Sequence, residues 1–179
     1  MSQAAPTTPP QGSPFWLFSL GLYRASGVAD ACIRLQDEVG VDVNLLFFLL
    51  WSASRKRQLS SADVQAVDSR VAGWRQTAVI PLREIRRALK STSGLIEPGA
   101  AELFRTKVKG LELEAERLQQ ETLFDLSQSA VLGEVGEGAA SADAAARANL
   151  AAYERYLSNP FPKAAVDTIL AAFDTRHGR

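Results

Sequence analysis

Four cations share one face of a short helical stretch, and they are the residues in this chain best suited to a chemical task. At 100° per residue, Arg83, Arg86, Arg87 and Lys90 fall within about 100° of one another. Guanidinium groups offer planar, forked donors that match phosphate and carboxylate oxygens. Leu82, Ile85 and Leu89 form a separate face of the same stretch. The pattern therefore predicts that the leucines and isoleucine enter the core while the cations form an exposed stripe. Arg75 and the Arg55-Lys56-Arg57 cluster extend it. An anionic partner is the function such a stripe implies, either the acidic surface of a protein or nucleic acid. The competing reading is internal pairing with Glu84 and the glutamates between 112 and 121. Nucleic-acid binding through these residues would weaken steeply with salt. The chain carries no zinc-ligand spacing and no RNP-like aromatic strand, and a helix-turn-helix over 60–90 would have Pro81 at its turn.

Other residue types give less. His177, the sole histidine, lies three residues from the end, a poor place for a fixed triad. Cys32 falls on the apolar face of its helix, which predicts a buried structural thiol; reactivity needs exposure and nearby positive charge. Glu112, Glu114 and Glu116 are two apart and fan around a helix instead of converging on a metal. Asp63 and Asp68 are five apart and poorly phased. The GEVGEG run at 133–138 is followed by no Lys-Ser/Thr, so it is not a phosphate loop. The sequence thus predicts no catalytic constellation, no metal site and no cofactor.

The elements that must position the basic face are helical throughout. Leu45 to Trp51 are seven large apolar residues with no polar face. Such a segment must be covered on all sides, and the following Arg55-Lys56-Arg57 stops it far short of the roughly 20 apolar residues that span a bilayer. It predicts a central helix over about 43–55, capped by Asp42 or Asn44. Ahead of it, Ser13-Pro14 starts a short apolar helix ending near Tyr23, whose Phe15, Trp16, Phe18 and Tyr23 read as core or as an aromatic partner patch. Val28, Cys32, Leu35 and Val39 make one face of a second helix, closed by Gly40. After the central segment, Ser60 and Asp63 form a capping box. Val64, Val67, Val71, Trp74 and Ala78 continue as an amphipathic stripe. Pro81 predicts a break or kink near Val79-Ile80 and a new helix from Pro81 to Lys90. Pro98 opens a long helix to about Ser129, with Phe104, Val108, Leu111, Ala115 and Leu118 at heptad-like spacing. Ser141 caps an Ala-rich helix carrying Leu150, Tyr153 and Leu157, Asn159-Pro160 ends it, and a last helix begins near Pro162. The fold class is all-α, a bundle of about seven helices around the 43–55 segment. The expected organisation is a disordered 1–13, a helical domain over 14–129, a flexible linker at 130–140 and C-terminal helices at 141–174.

Composition agrees with a globular chain: 179 residues, 46% hydrophobic and 22% charged, with zero formal net charge. That charge is uneven. Residues 1–50 carry −2, residues 51–110 carry +7 and residues 111–179 carry −5. One cysteine and the lack of a signal-like or membrane-spanning stretch point to the cytoplasm. Three blocks, FWLFSLGLY at 15–23, VNLLFFLLW at 43–51 and WRQTAVIPLREIRRALK at 74–90, together resemble a small family of uncharacterised proteobacterial proteins known only by a domain-of-unknown-function label. The resemblance covers about residues 14–125. It implies bacterial origin and a soluble helical fold, and it brings no catalytic residue or ligand. The function read from the sequence is therefore a non-enzymatic helical protein, an interaction or accessory protein acting through Arg75, Arg83, Arg86, Arg87 and Lys90. The alternative is a nucleic-acid- or ribosome-associated protein using the same face.

Overall fold

A computed structural model of the chain describes residues 12–91, 96–129 and 141–177. Its elements are α1 (Pro14–Tyr23), α2 (Val28–Val39), α3 (Val43–Ser54), α4 (Ser61–Trp74), α5 (Ile80–Ala88), α6 (Pro98–Ser129), α7 (Ala142–Leu157) and α8 (Lys163–His177). A π-helical turn over Arg75–Val79 joins α4 to α5, and a 3₁₀ turn over Leu89–Ser91 follows α5. Because α4, the π turn and α5 run on without a break, the described residues form seven helical rods. The all-α bundle is confirmed, and none of the described helices is long and apolar enough to cross a membrane. The segments expected to be disordered or flexible, 1–13 and 130–140, lie outside the described residues except for Gly12 and Ser13.

α3 is the enclosed helix that its composition demands. Leu45 to Leu50 are each 2% exposed or less. α7 runs along it, and α1 and α6 cover further sides, while α2 is backed by α8. Phe15 of α1 meets Phe48 edge to face at 5.7 Å, and Phe18 meets Trp51 at 5.5 Å. Phe15 and Phe18 are core packing, the first of the two readings of α1, whereas Tyr23 is exposed. The C-terminal helices belong to the same hydrophobic core, through Leu150, Tyr153, Ile169 and Phe173.

The alanine-rich composition of α7 has a packing reason. Ala142, Ala145, Ala146 and Ala152 are all buried, and small side chains let two helices approach closely. In their midst sits Asn149, with no exposed surface. Its Oδ1 accepts from the Leu59 N–H at 2.7 Å, and its Nδ2 donates to the carbonyls of Leu49 and Arg57, each at 3.0 Å. This one amide holds the turn between α3 and α4, where Lys56 takes a positive φ of 58°, a conformation uncommon outside glycine.

Local signals behave mostly as expected. Ser13 accepts from Trp16 N, and the Ser60–Asp63 capping box is complete. Gly40 closes α2 at φ 74°. Asp42, and not Asn44, caps α3: its carboxylate accepts from Asn44 N. Of the break or kink expected near Val79-Ile80, the chain shows no break; the α-helix is interrupted there by the π turn over Arg75–Val79, and α5 begins at Ile80. Pro81 has no N–H and its ring crowds the carbonyl four residues back. The chain accommodates this by widening one turn: the Ile80 N–H reaches back five residues to Arg75 O, the geometry of a π bulge.

Replacing Asn149 with Ala leaves one backbone donor and two carbonyls in α3 and its exit turn without their partner. Urea unfolding should show a loss of about 2–4 kcal/mol, with far-UV circular dichroism unchanged below the transition. A loss under half a kcal/mol would show that the turn does not depend on this amide.

Candidate functional site

The π turn changes which face of α5 looks inward. It inserts one residue, so the phase of α4's apolar stripe shifts by about 100° on entering α5. Val64, Val67 and Val71 of α4 are buried, whereas no residue of α5 is. Ile85 is 47% exposed. Arg83 and Arg86, expected on an outer stripe, point instead at α6. Arg83 Nε and Nη2 donate to Glu112 Oε1 at 3.1 Å and Glu116 Oε1 at 2.7 Å. Arg86 Nε donates to Glu112 Oε2 and its Nη2 to Glu112 Oε1 at 3.0 Å. Arg87 reaches α2 and donates to Asp37 at 2.9 Å. Glutamates at 112 and 116 stand one turn apart on α6, so two arginines three apart on α5 mesh with them.

Arg75 does something different. It lies at the start of the π turn, where its Nη1 bridges Asp42 at 2.8 Å and Asp68 at 2.6 Å. Tyr156 donates to the second oxygen of Asp68 at 2.9 Å. Burial opposes the Arg75 charge, but the carboxylates of Asp68 and Asp42 outweigh it and raise its pKa further. The structure thus brings Arg83, Arg86, Arg87 and Lys90 to one place and sets Arg75 apart in an interior ion-pair cluster.

That place is a cleft of about 660 Å³ between α1, α2, α5 and α6, with the first residues of α3 at its floor. One side is apolar, with Trp16, Leu20, Tyr23, Ile33 and Phe47. The other carries the arginines together with Lys90 and Lys109, neither of which makes an ion pair among the described residues. Five cations face three carboxylates, Asp37, Glu112 and Glu116. Two buried polar atoms of the lining, Ser19 Oγ and Gln120 Oε1, have no hydrogen-bond partner in the protein. Gln120 spends its amide on Asn44 Oδ1 at 2.8 Å, so Asn44 is an interior hydrogen-bonding residue and not a cap.

The two cleft glutamates differ. Burial would raise the Glu112 carboxyl, but the hydrogen bonds and charges of Arg86 and Arg83 prevail and hold it below the usual range. For Glu116 burial prevails over Arg83, and its carboxyl lies above that range. Cys32 is buried at the back of the cleft, and burial pushes its thiol up to about 12, in keeping with an unreactive thiol. Among the described residues no group of three or more His, Cys, Asp or Glu side chains is placed to hold a metal ion.

Sequence reasoning missed Lys109, Ser19 and Gln120. The phase shift at Pro81 was the hidden step, because without it the arginines project away from α6. Glutamates four apart on a neighbouring helix were the available signal.

Fold and site together define an all-α bundle with one mixed apolar and cationic cleft. The chain belongs to the family described as "Protein of unknown function (DUF2390)", whose family model matches residues 14–123. Every residue lining the cleft falls inside that span, while α7 and α8 lie beyond it. No curated protein and no solved structure matches the chain.

The depressed carboxyl of Glu112 gives a signed pH dependence. A carboxylate held below its unfolded value of about 4.3 contributes stability above that pH and loses it as pH falls through the folded value. Glu112→Gln should therefore lower stability at pH 7, and the gap from the parent protein should close below about pH 4. Urea unfolding at pH 7, 5 and 3 measures it; a gap that widens towards acid would contradict the ion-paired wall.

Proposed function

We propose that this protein binds a small amphiphilic organic anion in the cleft between α1, α2, α5 and α6. The observation that carries the reading is the pairing of an apolar wall with two unpaired lysines across one concavity. Trp16, Leu20, Ile33 and Phe47 offer an apolar body its contacts, while Lys90 and Lys109 offer charge-assisted donors to a carboxylate or phosphate head. Ser19 Oγ and Gln120 Oε1 add polar atoms that the protein leaves without partners, and buried groups of that kind are expected to find one. The volume suits a small ligand, since such sites occupy about 300–1,000 Å³.

The arginines keep a part in this reading. Arg83 and Arg86 are already satisfied by Glu112 and Glu116, so their role is to hold the wall in place and set its field. An acidic protein surface or a nucleic-acid backbone needs unpaired cations on a convex face. Here the convex side of α5 carries Ile85, and Arg87 is half-exposed but paired with Asp37. The geometry therefore favours a ligand that enters over a polymer that lies across.

Calorimetric titration with decanoate, decyl phosphate, decanol and inorganic phosphate separates the contributions. Decanoate and decyl phosphate should bind one to one, and decanol and phosphate should bind at least tenfold more weakly. Lys90→Glu with Lys109→Glu removes cations that hold no bridge. The pair should weaken decanoate by about ten- to a hundredfold, the worth of one lost charge-assisted hydrogen bond. Equal binding of decanol, or no effect of the lysine changes, would contradict an anion site. Tighter binding of a single-stranded oligonucleotide than of any amphiphile would favour the nucleic-acid reading instead.

A further inference from the structure

The side of α6 opposite the cleft carries an apolar stripe left exposed among the described residues. Phe104, Leu111 and Leu118 are 56%, 58% and 41% exposed. They recur every seven residues and lie within about 40° of one another on the helix, over about 21 Å of its length. Their heptad companions Val108 and Ala115 are buried against the rest of the bundle. The seam is therefore half used. One edge packs inward and the other faces solvent, an arrangement that marks an interaction surface. Trp74 lies along the inner edge, its indole N–H donating to Ala115 O at 2.9 Å with much of the ring exposed. At 100° per residue Leu111 and the cleft residue Lys109 are about 160° apart, so the stripe is separate from the cleft.

Charge tells what fits it. Along the outer edge of the stripe stand Lys107 and Glu114, about 60° and 80° round from Phe104 on the same side. Lys107 makes no ion pair among the described residues, and Glu114 is half-exposed, bound only to Arg117 three residues on. A two-fold axis crossing α6 at Leu111 brings a second α6 in antiparallel. It sets Leu111 against Leu111 and Phe104 against Leu118, and it places Lys107 within one residue of the other copy's Glu114 on the same flank. A parallel copy would put its Lys107 and Glu114 on the opposite flank of the seam, where neither meets its counterpart. The self-complementary order of both apolar and charged residues about one point is what an isologous interface requires. We propose that the occupant of this face is a second copy of the same chain, forming an antiparallel α6–α6 dimer centred on Leu111.

Sedimentation velocity on the full chain over a hundredfold concentration range tests it. The parent protein should shift from monomer to dimer across that range. Leu111→Lys should hold it monomeric. Lys107→Glu and Glu114→Lys should each weaken the dimer, and the double exchange should restore it, since opposite charges then face each other again. All of these positions are exposed, and far-UV circular dichroism verifies that each variant is folded; should Leu111→Lys fail to fold, the charge exchange decides alone. A parent that stays monomeric throughout, or a dimer that survives Leu111→Lys, overturns the proposal. So does a double exchange no stronger than either single one, because the copies would then not meet in this register.

Discussion

One carboxylate, that of Asp42, ties together four parts of this bundle. Its Oδ1 caps α3 by accepting from Asn44 N, and its Oδ2 accepts from Arg75 and from Gln119 of α6. Its own backbone N–H donates to the Tyr153 hydroxyl of α7 at 2.9 Å. Asp68 of α4 and Tyr156 of α7 complete the cluster through Arg75. A charge with so little exposure costs several kcal/mol to desolvate unless it is paired and hydrogen-bonded. The cluster offsets that cost only when α3, α4, α6 and α7 sit in one register. The apolar core makes collapse favourable, and this polar cluster selects among the ways of collapsing.

The register of α6 carries the consequence to the cleft. Two consecutive glutamines lock it to the start of α3: Gln119 to Asp42, and Gln120 to Asn44. One and two turns further back along the same helix stand Glu116 and Glu112, the anchors of the arginine wall. Lys109 and Leu113 lie beside them in the lining. The arginine wall and the floor of the cleft are thus referred to a single buried cluster.

Much of the fold was legible because its signals are local. Ser13-Pro14, Gly40, the Ser60–Asp63 box and Pro98 mark helix ends through backbone chemistry confined to a few residues. Leu45 to Leu50 announced a buried helix because no phase of them is polar. The site was less legible, for a physical reason. The set Arg83, Arg86, Arg87 and Lys90 was readable as one helical face, but its direction depended on a π turn that exchanges one hydrogen-bond pattern for another at Pro81. Nothing in a 100° wheel anticipates an extra residue in the turn. Arg75 was misread from proximity in sequence to that face; its partners Asp42 and Asp68 come from α3's cap and α4, and only the tertiary fold brings them together. Asn149 was silent for the same reason, one polar residue among alanines whose three partners lie about ninety to a hundred positions away.

α3 is enclosed, and the partners of its N-cap Asp42 hold it in register. Native-state hydrogen exchange, resolved by residue under mild denaturant, tests this directly. Amides from Leu46 to Ala53 should exchange only through global unfolding, with the same free energy and denaturant dependence as those around Gln119 in α6 and Asn149 in α7. Exchange of the α3 amides through a local opening, well below the global value and insensitive to denaturant, would show that the helix is not the enclosed centre described here.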